Sequence, residues 1–256
     1  MDSSGVDHDP LNRAHELVER AERICILTGA GVSTDSGIPD FRGPNGVWTK
    51  NPGAEKRATL QHYVADRTVR VEAWRRRVDN SDVNATPNVA HRALASFEQR
   101  GTLDTLITQN IDGLHHAAGS SPGRIIEIHG SVREVVCLDC GDRNPMSHAL
   151  DRVRGGEEDP PCQVCGGMLK SATISFGQSL VAEDLMRAEA AALRCDLMVA
   201  IGTTLGVYPI AGVVPVAARN GADVVIVNGD PTDMDELADV VVRGSIGEIV
   251  PSMFRV

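Results

Sequence analysis

The sequence predicts an α/β fold. A Rossmann-like parallel sheet domain is interrupted by two insertions, one helical and one small and cysteine-rich. Three observations predict it. Short uninterrupted apolar runs, Ile24–Thr28 first among them, alternate with amphipathic stretches, as strands buried on both faces of a parallel sheet do. Glycine-rich or polar turns follow most of these runs, gathering polar residues where open α/β sheets bind ligands. Composition then shifts between residues 134 and 170, where four of the six cysteines fall in two CxxC pairs.

Each element follows in order. Residues 1–10 are polar and acidic and lack the basic-then-apolar order of a secretory signal, so a disordered tail is expected there. Leu11–Arg23 has helical spacing of Leu and Ala among charges. The strand Ile24–Thr28 runs straight into Gly29-Ala30-Gly31, the opening of a nucleotide-binding unit. Residues 45–88 are mixed and polar and predict a helical insertion, with Arg75-Arg76-Arg77 on a solvated helix face. Asn88–Arg100 is amphipathic and ends at Gly101. Leu103–Thr108 predicts a second strand, ending in Gln109-Asn110-Ile111-Asp112, and Arg124–Ile128 a third, ending in His129-Gly130. After the cysteine-rich stretch the strand pattern returns at Ala172–Phe176. Asp196–Ile201 precedes Gly202-Thr203-Thr204, and Val224–Val227 precedes Asn228-Gly229-Asp230. Val240–Val242 closes the series. The sheet domain is thus expected over 11–133 and 171–256, with the module at 134–170.

Composition narrows the function. Only 3% of the 256 residues are aromatic, so Val, Leu, Ile and Ala must build the core. Asp and Glu outnumber Lys and Arg 35 to 25, for a net charge of −10. That balance argues against direct nucleic-acid binding but leaves room for a cofactor phosphate held by backbone N–H groups. No apolar stretch approaches the ~20 residues that span a bilayer, so no membrane role is expected. With no export signal, a cytoplasmic location is expected, where paired cysteines bind metal more often than they form disulfides.

Cys137-x-x-Cys140 and Cys162-x-x-Cys165 carry the most specific signal. Four thiolates suit a tetrahedral structural zinc and leave no ligand position open for catalysis. Glycines follow each pair where such knuckles turn, at Gly141 and Gly166. Neither pair opens a helix after a strand, which disfavours a redox role. Cys25 and Cys195 adjoin apolar strands and are expected to be small buried side chains.

The remaining signals are weaker singly. Gly29-Ala30-Gly31-Val32-Ser33-Thr34 lacks the third glycine of the usual dinucleotide motif. In the segment from Ser33 to Gly43, Arg42 could meet a phosphate and Phe41 could shield a reactive carbon. An ordinary exposed loop explains that segment equally well. His129 joins Gln109, Asn110 and Asp112 at one sheet edge and can serve as a base near neutral pH. His115 and His116 fall on a helix and read as structural.

Taken together the motifs resemble one family, the sirtuins, NAD-dependent protein lysine deacylases. The resemblance rests on Gly29–Ser33 with Ser36–Arg42, Thr108–His115, His129-Gly130-Ser131, the two CxxC pairs, Phe176-Gly177, Gly202-Thr203 and Asn228, in the family's order over about residues 12–250. It implies NAD and acyl-lysine protein meeting in a cleft, with zinc in the small module. His129 would be the catalytic base, with Asn110 and Asp112 assisting. Gln109 would bind the nicotinamide ribose, and Ile38, Asp40, Asn110, Ile111 and Asp112 would shape the nicotinamide pocket. Gly29, Ala30, Gly31, Ser33, Phe41 and Arg42 would contact the cofactor. Gly202, Thr203, Thr204, Asn228, Gly229, Asp230 and Ile246 would hold its adenosine half. Phe176, Gly177 and Gln178 would face Gly206 and Val207 across a substrate peptide that adds as a strand.

The resemblance implies that NAD loses nicotinamide and carries no hydride, giving deacylated lysine and O-acyl-ADP-ribose. Two departures touch the peptide side, Gln178 where Glu is common and Ser171 where Pro is usual, and one touches the cofactor side, Thr204 where Ser is frequent. Members that remove succinyl groups carry a Tyr-x-x-Arg pair. The corresponding stretch reads Val71-Glu72-Ala73-Trp74-Arg75-Arg76-Arg77, so acetyl or another neutral acyl group is expected. Two other readings stay open: ADP-ribose transfer to protein from the same NAD site, and a zinc-stabilised NAD or ADP-ribose sensor.

Overall fold

Period-two alternation along the buried strands decides the layering. Ile24 and Ile26 of β1 (Ile24–Thr28) face one side of the sheet, Cys25 and Leu27 the other, and both sides are apolar. A strand with two apolar faces needs helices on both. The computed structural model describes residues 9–41, 43, 46–51, 58–80 and 85–256. Part of the expected tail and Arg42 lie outside the described residues.

Six parallel strands form the main sheet in the order β3-β2-β1-β7-β8-β9. They are β1, β2 (Leu103–Thr108), β3 (Ile125–Glu127), β7 (Leu197–Ile201), β8 (Asp223–Val227) and β9 (Val240–Val242). On one face pack α1 (Pro10–Arg20), α5 (Val89–Glu98) and α10 (Ile246–Phe254), whose Leu17, Leu94, Phe97 and Phe254 meet Ile26, Leu106 and Val225. On the other face, α8 (Ala182–Arg194) and α9 (Val213–Arg219) bring Ala188, Ala191, Val214 and Ala217 against Cys25, Ile107 and Ile226. Small alanines let these helices sit close to the sheet, which suits a chain so poor in aromatics. Asn88 caps α5: its side chain accepts the N–H groups of Ala90 and His91.

A second sheet is antiparallel, ordered β5-β4-β6. It comprises β4 (Gly130–Cys137), β5 (Arg143–Pro145) and β6 (Leu169–Thr173), with α7 (Met146–Arg154) against it. Here the expectation needs correction. No strand of the parallel sheet forms at Ala172–Phe176: the strand found there, β6, runs earlier, ends at Thr173 and pairs with β4. The small unit therefore extends past 134–170 on both sides. Arg133 and Glu134 broke the apolar pattern of β4, because part of its length faces solvent.

The helical insertion holds α2 (Val47–Lys50), α3 (Leu60–Ala65) and α4 (Arg67–Asn80). It does not stand apart. Trp74 of α4, fully buried, packs with Val135, Cys137, Leu150 and Leu169 in one core. Of the arginine run, Arg75 and Arg76 are exposed as expected and Arg77 is half-buried, while Arg70, earlier on α4, pairs with Asp159 at 2.9 Å. The helical insertion and the cysteine-rich unit thus form a single small lobe. Among the described residues, no helix is long and apolar enough to cross a membrane.

Candidate active site

A cavity of about 1860 Å³ opens where the two lobes meet. It exceeds the 300–1,000 Å³ of ordinary small-molecule pockets, which leaves room for more than one small ligand. Its wall follows the C-terminal ends of the parallel strands: Gly29 after β1, Gln109 after β2, His129 after β3, Gly202 after β7 and Asn228 after β8. Ile246 closes one end, and Lys170 of the small lobe lines another part.

The glycine turn exists for close approach. Gly31 N–H donates to the Gly202 carbonyl at 2.9 Å. A Cβ on Gly29 would lie 2.7 Å from Gly202 O, and one on Gly31 2.8 Å from Gly202 Cα. Gly202 sits at φ +63, a conformation glycine adopts without strain. Two strand-end loops therefore touch backbone to backbone and expose main chain to a ligand. Residues Ala30–Ser36 form a short 3-10 helix after the turn.

His129 sits between the sheets. Its Nδ1 lies 3.0 Å from the Gln109 carbonyl. A carbonyl only accepts, so Nδ1 carries the proton and Nε2 keeps its lone pair. Burial lowers the His129 pKa below its ordinary 6.5, and the Gln109 hydrogen bond pulls the other way. At neutral pH the ring is a neutral base with a fixed tautomer. Gln109 is itself held, its side-chain amide donating to Thr203 Oγ1 at 2.9 Å.

Behind this edge the donors and acceptors can be assigned throughout. Ser33 Oγ donates to Asp112 Oδ2 at 2.8 Å. Asn110 Nδ2 donates to Ser33 Oγ and to the Gly29 carbonyl, both at 3.1 Å. Both amide hydrogens of Asn110 are committed inward, so what it offers the cavity is an acceptor. Asn88 N–H donates to His91 Nδ1 at 3.4 Å, leaving Nε2–H of His91 facing Ser33 Oγ at 3.5 Å. Asp112 also accepts the Leu114 N–H at 2.9 Å.

An aromatic row borders the opening. Phe41 and Trp48 have ring centroids 4.8 Å apart, and Trp48 and Phe176 5.4 Å. Phe41 and Phe176 are still well exposed, as residues awaiting a ligand would be.

The cysteines lie elsewhere. Their four Sγ atoms fall within 4.8 Å of one another, with Cys137–Cys165 at 3.5 Å and Cys140–Cys162 at 3.8 Å. A tetrahedral zinc with 2.3 Å bonds to sulfur requires separations of about 3.8 Å, so the set fits that ion. Each knuckle closes alike: Gly141 N–H donates to the Cys137 carbonyl and Gly166 N–H to that of Cys162. Both glycines have φ +75. None of the four cysteines lines the cavity, which suits a structural role. Cys25 and Cys195 are buried, and burial raises both thiols.

The cavity gathers nearly every residue singled out from sequence. Ala30, Ile38, Asp40, Ile111, Thr204, Gly229 and Asp230 are on its wall, as are Gly177, Gln178 and Val207. Ser33 and Gly206 are not: Ser33 is buried and reaches the cavity only through Asp112 and Asn110. Sequence reasoning missed Trp48, Tyr63, Arg77 and Lys170, which also line it. Arg77 was folded into the arginine run, and Lys170 carried no signal beside Cys165. His116 lies off the cavity wall, with Nε2 3.6 Å from Glu127.

The sequence model of the Sir2 family matches residues 29–209. The chain is 49% identical over 232 residues to NAD-dependent protein deacetylase 2 of Streptomyces coelicolor, covering 91% of this chain and 96% of that one. A solved structure described as "Structural Basis for the Mechanism and Regulation of Sir2 Enzymes" superposes with a TM-score of 0.86 at 35% identity, covering 96% and 97% of the two chains. Another, "Sir2-p53 peptide-NAD+", gives 0.83 at 30% identity with the same coverage.

Proposed function

The chain belongs to the Sir2 family, and on that premise we propose that it removes acetyl or other neutral acyl groups from protein lysines with consumption of NAD. The observation that carries this reading is the fixed tautomer of His129, a neutral base presented to a cavity large enough for both substrates.

When bound, NAD supplies a ribose carbon that becomes electrophilic as nicotinamide departs. The chain's own residues do the rest. The backbone of Gly29–Gly31 and Gly202–Thr204 is assigned to the cofactor, with Asn228, Gly229, Asp230 and Ile246 at its adenosine end. Asn110, Asp112, Ile38 and Asp40 are assigned to the nicotinamide side, where the Ser33–Asp112 and Ser33–Asn110 hydrogen bonds stiffen the wall. Gln109 is placed for a ribose hydroxyl. His129 Nε2 is placed to take a proton from a ribose hydroxyl, and the Gln109 carbonyl stabilises the imidazolium that forms. Such a base contributes roughly 10²–10⁴-fold. Phe41, backed by Trp48, excludes water. Phe176, Gly177 and Gln178 on one side and Val207 on the other are assigned to the peptide main chain. A zinc held by Cys137, Cys140, Cys162 and Cys165 would brace the small lobe.

The test incubates an acetylated peptide with NAD and follows the peptide and free nicotinamide. Loss of acetyl matched mole for mole by nicotinamide supports the reading. Nicotinamide release with ADP-ribose on protein and the acetyl retained would replace it by ADP-ribose transfer. NAD binding without nicotinamide release, in the wild type, would leave a sensor. His129→Ala should lower turnover by about 10²-fold or more and change NAD affinity little.

A further inference from the structure

We infer that Thr28, Thr108 and His115 form a buried line of positioning residues that sets the Gln109–Asn110 turn, and through the Gln109 carbonyl the reacting nitrogen of His129. The inference rests on His129 being the base.

The three side chains are out of place in an apolar sheet. Thr28 ends β1 and Thr108 ends β2, at 0% and 2% exposure, and His115 on α6 (Leu114–Ala117) is at 2%. Polar groups this deep cost free energy unless they are bonded. Their bonds run in one direction. Thr28 Oγ1 donates to Thr108 Oγ1 at 2.9 Å. With that proton spent, His115 Nε2, 3.0 Å from Thr28 Oγ1, must be the donor to it. His115 is therefore the Nε2–H tautomer. Its Nδ1 is a bare lone pair, buried with no partner.

The line ends on the catalytic turn. Thr108 Oγ1 accepts the Asn110 N–H at 3.1 Å. The Thr28 carbonyl accepts the Gln109 N–H at 2.9 Å. Both N–H groups of the turn are thus pinned to the two threonines, and the carbonyl between them is aimed at His129 Nδ1. Burial keeps His115 uncharged, its pKa lowered to about 3, with the neighbouring His91 acting in the same direction. The donor at the start of the line does not change with pH in the working range.

Two experiments test the line on zinc-loaded full-length protein. Thr108→Val keeps the shape and removes the hydroxyl, and Thr108→Ser restores it. Thr108→Val is expected to lower kcat about tenfold with little change in KM for the acyl peptide. The acid limb of kcat/KM should move to lower pH, because the Gln109 bond that raises His129 is weakened. Thr108→Ser should return both to within about twofold of wild type. Asp40, Asp112, Arg77 and Lys170 share the cavity and are the same in all three proteins, so a moved limb reports His129. A purely structural role would reduce the folded fraction and leave the limb in place. A Thr108→Val protein with wild-type kcat and acid limb would overturn the inference. The second measurement needs no variant: ¹⁵N NMR of the wild-type imidazoles. His115 should carry its proton on Nε2 and stay neutral down to pH 5. A proton on Nδ1, or titration near pH 6.5, would overturn the line even if deacylation itself is established.

Discussion

Lys170→Met is the perturbation whose outcome runs most against intuition. Lys170 sits on β6 at 3% exposure, its ammonium donating to the carbonyls of Ser171 and Thr173. Burial first, and the Arg77 guanidinium second, pull its pKa from 10.5 to about 8. At 1.36 kcal/mol per unit, keeping this charge inside costs about 3 kcal/mol at pH 7. Methionine has a similar reach and no charge. It forfeits two hydrogen bonds of about 1 kcal/mol each. The variant is expected to be the more stable protein at pH 7, by about 1 kcal/mol. The sign then changes with pH. Unfolded, the lysine holds its proton up to about 10.5; folded, only up to about 8. Between these values the unfolded state binds more protons, so the wild type gains stability as pH rises. The advantage of methionine should shrink above pH 8 and reverse at about pH 9, leaving the wild type ahead by roughly 1.5 kcal/mol at pH 10. Urea denaturation of both zinc-loaded proteins at pH 7, 8, 9 and 10 measures the gap. A variant less stable than wild type at pH 7, or a gap constant across the series, would refute the reasoning.

Other expectations follow from the same geometry. The base must be neutral to act, and burial holds His129 below 6.5, so the acid limb of kcat/KM should be centred below pH 6.5. An acid limb centred above 6.5 would contradict this. Metal analysis should find about one zinc per chain. Cys162→Ala should lose that zinc and red-shift the fluorescence of Trp74, which shares a core with Cys137 and Cys162; a metal-free protein with unchanged emission would remove the structural role. Gly130→Ala combines φ +73 with a Cβ driven into the Ala172 carbonyl. The left-handed conformation alone costs about 1–2 kcal/mol, so thermal unfolding should shift down and activity should drop with it.

What was legible in the sequence was what repeats at short range. Ile24–Thr28 and Val224–Val227 announce themselves because strands covered on both faces are apolar throughout. The zinc set is legible because each knuckle is local, with its glycine one residue past the second cysteine. The cavity wall was legible to the extent that strands end in the residues that line it: Gln109 through Asp112 after β2, His129 after β3. The rest depended on distance. The stretch Ala172–Phe176 reads as a return to the main sheet because Ala172 and Ile174 are apolar, yet β6 ends within it at Thr173 and pairs with β4, which lies more than thirty residues earlier and carries charge on its outer side. Arg77 and Lys170 come from different insertions and meet only because Trp74 draws α4 onto the small sheet. Ser33 read as a cofactor contact from its place beside the glycine turn, whereas its hydroxyl is spent on Asp112. No spacing in the chain distinguishes a hydroxyl aimed at a ligand from one aimed at a neighbour.

The placement of His129 ties these parts into one device. Its ring is held by the large lobe, through the Gln109 carbonyl at 3.0 Å. Its own carbonyl accepts the Ile174 N–H at 2.7 Å, just past β6 of the small lobe. Between them Gly130 turns the chain from the parallel sheet into the antiparallel one, so close to Ala172 that no side chain fits. Ring and backbone of the base are therefore fixed by different lobes. A displacement of one lobe of about 1 Å breaks one of the two hydrogen bonds, and misplacement of that size costs roughly 10²-fold in rate. The four cysteines, Trp74 and the Arg70–Asp159 pair lie outside the cavity wall, yet each bears on His129 through the rigidity of β6. On the proposed reading, a base at the end of a Rossmann-like strand therefore depends on the module inserted right after it.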